Sequence, residues 1–187
     1  MPKKDSMERQ LADALKRLVL TQPFEKITIA DLVEETGVAR STFYNHFQDK
    51  YDLLEWILRT EVLSPVRILA QNDMLRESIV LFFASMQKEQ AFYQRVYRLT
   101  GQNSFEEMLT KGIKDILFEH LSAKINPTRP HAFWETPELL ATFYSGALYY
   151  AFFVWMEVGM PYSPREIGDA YETLTTTSME EVIRRLE

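Results

Sequence analysis

The residues able to do chemistry in this chain fall into one dense run and several scattered groups. The three histidines, His46, His120 and His131, lie far apart and show no metal-ligand spacing. There is no cysteine, which excludes disulfides, thiolate zinc sites and thiol nucleophiles or redox sensors. No glycine-rich phosphate loop and no nucleophile elbow occurs. The paired carboxylates Glu106-Glu107 and Glu180-Glu181 read as solvated helix faces. These observations point away from an enzyme and call for no metal and no cofactor. The dense run is different. Arg40, Ser41, Thr42, Tyr44, Asn45 and His46 are hydrogen-bonding types within seven positions. Such side chains can meet base edges and phosphate oxygens. Phe43 and Phe47, four apart between them, fall on the opposite face and would anchor the segment.

That run needs a rigid mount, and the flanking sequence supplies one. Met7, Leu11, Leu15, Leu18 and Val19 form a helical stripe from about Ser6 to Gln22, where Pro23 ends it. Thr28 opens a second helix with Asp31 three residues later, a capping-box arrangement. Ile29, Leu32 and Val33 give its buried face, and Gly37 stops it. A third short helix is expected from about Arg40 to Phe47. Asp49 caps a fourth, which carries Leu53, Leu54, Ile57 and Leu58 and fades near Ser64-Pro65. Helix, glycine turn, short helix is the grammar of a helix-turn-helix, whose second helix enters the major groove. Lys50, opening the fourth helix, would bring an ammonium and a positive helix end toward a phosphate.

The whole chain reads as all-α with about nine helices. Residues 1–50 are expected to form a three-helix DNA-binding domain, and residues 51–187 a helical sensing and dimerisation domain. Breaks are expected near Asn72-Asp73, Lys88-Glu89, Gly101-Gln102, Asn126-Pro127, Thr136-Pro137 and Met160-Pro161, with a loop from Asn126 to Pro130. The net charge is −6. The first fifty residues carry eight basic groups (Lys3, Lys4, Arg9, Lys16, Arg17, Lys26, Arg40, Lys50) and eight acidic ones (Asp5, Glu8, Asp13, Glu25, Asp31, Glu34, Glu35, Asp49). The negative excess therefore lies beyond them. Nonspecific affinity for DNA should be weak, because each neutralised phosphate feeds the salt-dependent term. The N-terminus shows no apolar signal segment, which together with the missing cysteines suits a cytoplasmic protein.

The run from Phe24 to Leu54, FEKITIADLVEETGVARSTFYNHFQDKYDLL, resembles the DNA-binding domain of the TetR family. The resemblance is carried by Thr28, Gly37, Val38, Phe43, Tyr44, His46, Phe47 and Lys50. It implies that Tyr44, His46 and Lys50 contact phosphates and that Arg40, Ser41, Thr42 and Asn45 lie nearest the bases. Thr28 would offer its hydroxyl to the backbone at the other edge, and Lys3 and Lys4 would form an arm. Ala39 departs from the Ser often found there, so a helix cap worth roughly 1 kcal/mol is missing. The wording is also similar to a subgroup that includes activators of dihydroxyacetone-kinase operons, some responsive to a protein partner.

The resemblance further implies a homodimer on double-stranded operator DNA, with a repressor as the default. The last two long helices would pair with their copies in a four-helix bundle. Leu139 to Met156 carries no charge and is apolar nearly all round. A membrane span is disfavoured there by Thr142, Ser145, Gly146 and the tyrosines, and by Glu138 and Glu157 at its ends. Burial on two sides fits better. Dimer contacts are expected from Tyr149, Phe152, Phe153, Tyr171, Leu174 and Ile183. A small-molecule effector would sit among aromatics, with Tyr93, Tyr97, Gln102, Tyr144 and Trp155 as its lining. The alternative is a protein coregulator bound by the same domain.

Overall fold

The computed structural model describes residues 3–101, 104–126 and 135–187. All regular structure among them is helical. Helix α1 (Lys3–Thr21) begins at the very residues expected to form an arm, so Lys3 and Lys4 belong to its first turn. Its stripe is buried as the spacing predicts, with Leu11, Leu15 and Val19 fully covered. A 3-10 turn over Phe24–Lys26 leads into α2 (Ile29–Thr36). The Thr28–Asp31 capping box is complete in both directions. Gly37 closes α2 with φ of 71°, a left-handed conformation that a Cβ resists. Then follow α3 (Arg40–Tyr44) and α4 (Lys50–Ile57). Asp49 caps α4 by accepting from the backbone N–H groups of Tyr51 and Asp52.

The fourth helix does not fade at Ser64-Pro65. It passes through a π-helical segment, Leu58–Leu63, into α5 (Ser64–Gln71). Pro65 explains the change of pitch. A proline inside an α-helix lacks one N–H and crowds the carbonyl four residues back. Widening the turn relieves that clash. Accordingly Ser64 donates its N–H to the carbonyl of Arg59, five residues back, and its hydroxyl donates to the same oxygen at 2.7 Å.

The remainder comprises α6 (Leu75–Lys88), α7 (Gln90–Val96), α8 (Phe105–Lys124), α9 (Pro137–Glu157), α10 (Pro164–Thr176) and α11 (Met179–Leu186). The last stretch, expected as one helix, is cut at Thr177, whose φ and ψ of −109° and 138° are extended. Ser178 then caps α11 by accepting from the N–H of Glu181. A ladder of rings fills the centre: Phe82 against Phe83 and Phe152, Phe83 against Trp155, and Phe105 stacked on Phe152. Burying rings in edge-to-face and offset contact is the main apolar gain of this half. It ties α6, α8 and α9 together. Helix α9 is long and apolar enough to cross a membrane by length and composition, yet its Leu148, Phe152 and Trp155 side is buried in this ladder.

Candidate nucleic-acid interface

Helix α3 is short, and its anchoring is what gives it a fixed position. Phe43 is fully buried and Phe47 nearly so, their ring centroids 5.9 Å apart. The helix ends at Tyr44, three residues short of the expected Phe47, and Phe47, in the turn that follows, meets Trp56 edge-on and joins that turn to α4. Ala39 stands at the N-cap without a side-chain bond, as expected from its missing hydroxyl. With the two phenylalanines inward, Arg40, Ser41, Tyr44 and Asn45 are left exposed, and Thr42 is half-buried. Arg40 lies over the Tyr44 ring and donates to its hydroxyl at 3.3 Å, so the pair forms one outward unit.

The other three residues assigned to DNA stand differently. Thr28 is exposed, but its hydroxyl donates to Asp31 Oδ2 and accepts from the Asp31 N–H. The Thr28 backbone N–H, donating to Asp31 Oδ2 at 2.8 Å, and then the Thr28 hydroxyl hold the Asp31 carboxyl below its usual range. His46 is turned toward α1, with Nδ1 3.5 Å from Glu8 Oε1. That is an electrostatic approach without hydrogen-bond geometry, and the nitrogen is otherwise unpartnered. Lys50 departs furthest from the expectation. Its ammonium donates to the carbonyls of Phe24, Glu25 and Ile27, each at 2.8 Å. It also lies 5.0 Å from the Phe24 ring centroid. Partial burial pulls its pKa down, against the nearby Glu25, Asp49 and Asp31 charges. Lys50 is thus a strut between α4 and the turn before α2, not a side chain reaching outward. Lys26, in the same turn and exposed, is a basic group on this side that the sequence reading passed over.

The C-terminal half redistributes its candidates too. Trp155 is core: its ring meets Phe83 and its indole N–H donates to the Tyr162 carbonyl at 3.0 Å. Tyr97 donates to Glu157 Oε1 at 2.8 Å, where Arg98 also binds. Gln102 lies outside the described residues. Tyr144 does border a cavity of about 260 Å³, mostly apolar, between α6, α8, α9 and α10, together with Ile79, Leu117, His120, Leu148 and Tyr171. Tyr93 borders a different cleft, beside α1.

Of the expected dimer residues, Phe152 has no exposed area, and Tyr171 is buried with its hydroxyl donating to the Tyr144 carbonyl. Neither is free to touch a second chain. Tyr149 and Phe153 are half-buried against one another, and burial pushes the Tyr149 phenol up to about 12. Leu174 and Ile183 are exposed. The apolar face that α9 turns outward is instead Phe143, Tyr150 and Val154, with Ala147 between them. Their spacing of four, three and four places them along one face of the helix.

A short helix held by two buried phenylalanines, with arginine, serine, tyrosine and asparagine outward, on an otherwise all-helical chain, defines a helix-turn-helix regulator. Comparison with known proteins agrees. Residues 11–57 match the profile of bacterial regulatory proteins of the tetR family, and residues 73–177 match a transcriptional regulator C-terminal region. The chain belongs to the TetR family. It is 25% identical over 97 residues to the HTH-type dhaKLM operon transcriptional activator DhaS of Lactococcus lactis, 52% of either chain, so it spans about half of that relative's length. A solved structure of a dihydroxyacetone kinase operon activator DhaS superposes with a TM-score of 0.61 at 19% identity, over 89% of this chain and 92% of that one. A TetR-family regulator from Syntrophomonas wolfei gives 0.65 at 14% identity, over 94% and 97%. The fatty acid degradation regulator FadR of Bacillus halodurans gives 0.64 at 15%, over 91% and 98%. Likenesses at these identities speak for the fold alone.

Proposed function

We propose that this chain is a cytoplasmic transcriptional regulator that binds a palindromic operator as a homodimer, with residues 1–50 as reading head. The observation that carries the reading is the outward group on α3 and its C-cap: Arg40, Ser41, Tyr44 and Asn45 are exposed, while Phe43 on the helix and Phe47 in the turn after it lock the opposite side. Arg40 and Asn45 are base-reading types, while Ser41 and Tyr44 suit phosphates or bases. Thr42 stands beside them. Thr28, His46 and Lys50 hold the head in shape.

Two heads must lie about 34–36 Å apart to enter successive turns of one groove. The exposed seam of Phe143, Ala147, Tyr150 and Val154, extended by Leu174 and Ile183, suits pairing of two copies on a two-fold axis. An effector in the cavity beside Tyr144 would act by favouring one spacing of the heads, with leverage equal to its differential affinity for the two states. Repression is the default action. A second reading, activation, is favoured by the sequence match to an operon activator.

The test is selection of genomic fragments by the purified protein, then footprinting at two salt concentrations. A short palindromic footprint that weakens with salt is expected, and a reporter fused to the recovered promoter gives the sign. Arg40→Ala should weaken operator binding by about 1–3 kcal/mol if its guanidinium reads a base. Enrichment of no fragment, or unchanged binding by both Arg40→Ala and Tyr44→Ala, would overturn the reading.

A further inference from the structure

A cleft of about 550 Å³ opens where α1, the end of α4, the π segment, α6 and α7 meet. It is separate from the cavity beside Tyr144. Its most buried polar lining residue is Tyr93, 1% exposed, whose hydroxyl has no hydrogen-bond partner; the side around it is called the inner end. A buried, unpartnered hydroxyl costs about 1–3 kcal/mol, which a bound polar group would recover. Glu61 and Glu89 both act on that phenol electrostatically, and burial keeps it neutral. Lys16 is ion-paired to Glu61 and lies 3.8 Å from Glu89. One ammonium therefore serves two carboxylates, and the inner end carries an excess negative charge. The mouth is different. Arg9, Asp13 and Lys88 are exposed there, with an excess positive charge. Trp56 and Val62 supply apolar wall between the two ends.

We propose that this cleft binds a small zwitterionic amine of the amino-acid type. Its ammonium enters beside Glu61, Glu89 and the Tyr93 hydroxyl, and its carboxylate faces Arg9 and Lys88. An ammonium donates three hydrogen bonds, enough to satisfy both carboxylates and the phenol oxygen. A carboxylate suits the basic mouth, and the short methylene chain suits the Trp56 wall. A simple cation would leave the mouth uncompensated, and a simple anion would meet the inner carboxylates.

The position gives the site a consequence. Its walls come from α1 of the reading head and from the π segment, α6 and α7 of the sensing half. A ligand bridging them holds the head in one orientation. That coupling rests on the regulator reading; binding itself does not, and is measured without DNA.

Isothermal titration and thermal shift on the full-length protein would use glycine, β-alanine, γ-aminobutyrate and 5-aminovalerate, which separate the two charges progressively. Butylamine and butyrate serve as single-charge controls. Saturable binding by at least one zwitterion, stronger than by either control, is expected. Glu89→Gln and Tyr93→Phe should each weaken it at least about tenfold. Glu89 stands at the start of α7 with no side-chain cap bond, so its neutral variant keeps the fold and decides the matter even if Tyr93→Phe does not. Binding by no zwitterion at millimolar concentration, equal binding of butylamine, or binding undiminished in Glu89→Gln would overturn the proposal. Ligand binding that leaves operator affinity unchanged would overturn the coupling and leave the site standing.

Discussion

Replacing Lys50 by methionine separates two roles that a lysine at this position can play. If the ammonium meets a phosphate, the variant loses one ionic contact. The slope of log affinity against log salt then falls by about 0.9, and stability is unchanged. The structure leads to a different expectation. Three carbonyl oxygens at 2.8 Å receive the ammonium. A hydrogen bond from a charged donor contributes about 1.5–3 kcal/mol, but these are not additive, and the carbonyl of the exposed Glu25 regains water when the donor leaves. The equivalent of one to two such bonds, about 3 kcal/mol, is a reasonable loss. In a chain of this size each kcal/mol lowers Tm by about 2–4 °C, so Tm should fall by roughly 6–12 °C. Methionine keeps most of the aliphatic stem, so packing loss adds little, while the ammonium's approach to the Phe24 ring is lost with the three bonds. Calorimetry measures the first quantity, and anisotropy titrations at several salt concentrations measure the second. Unchanged Tm together with a salt slope reduced by about one would refute the strut and restore the phosphate contact.

Gly37→Val should cost about 1–2 kcal/mol, because a β-branched residue must hold φ of 71° in a region that Cβ disfavours; chemical denaturation at pH 7 would show it, and an unchanged midpoint would contradict the turn geometry. Tyr150→Glu with Val154→Glu should convert the proposed dimer into a folded monomer in sedimentation equilibrium, since both residues are exposed in the single chain; a dimer that persists in the variant would move the interface elsewhere. Acid should loosen the fold through carboxylates held below their usual range: Asp31 and Glu166 by bonds from Thr28 and Ser163 in their capping boxes, Glu157 by bonds from Tyr97 and Arg98, and Asp73 by Lys124. For each, the folded-state pKa lies below the unfolded one, so its stabilisation is complete above the unfolded value and is lost as pH falls through the folded one. Tm should therefore decline between about pH 5 and pH 3, and a flat profile there would argue against these bonds.

What the sequence made legible was local. The Thr28–Asp31 box, the Gly37 stop and the Asp49 cap each involve partners within four residues, and the structure forms all three. The partners of Lys50 are 23 to 26 residues away, in a turn whose folding back against α4 no periodicity announces. Helix α9 failed in another way. A helix apolar on every side gives no phase, so nothing in the spacing says whether Phe152 or Tyr150 faces the chain's own core. The ring ladder decides it, and the ladder depends on α6 and α8. Pro65 was read as a stop because interior prolines usually are; the π segment shows a helix widening around one instead.

The residues behind the family resemblance and the residues able to read an operator are largely different sets. Gly37, Phe43 and Phe47 build the turn and anchor α3. Thr28 closes a cap, His46 faces Glu8, and Lys50 binds three carbonyls. Of the motif side chains, Thr28 and Tyr44 are exposed; Thr28 is engaged in its cap, while Tyr44 stands beside Arg40, Ser41 and Asn45, which the resemblance does not rest on. A motif of this kind therefore specifies the shape of a reading head. On the proposed reading the three neighbours contact the operator, so their exchange should change the sequence bound while leaving the head folded.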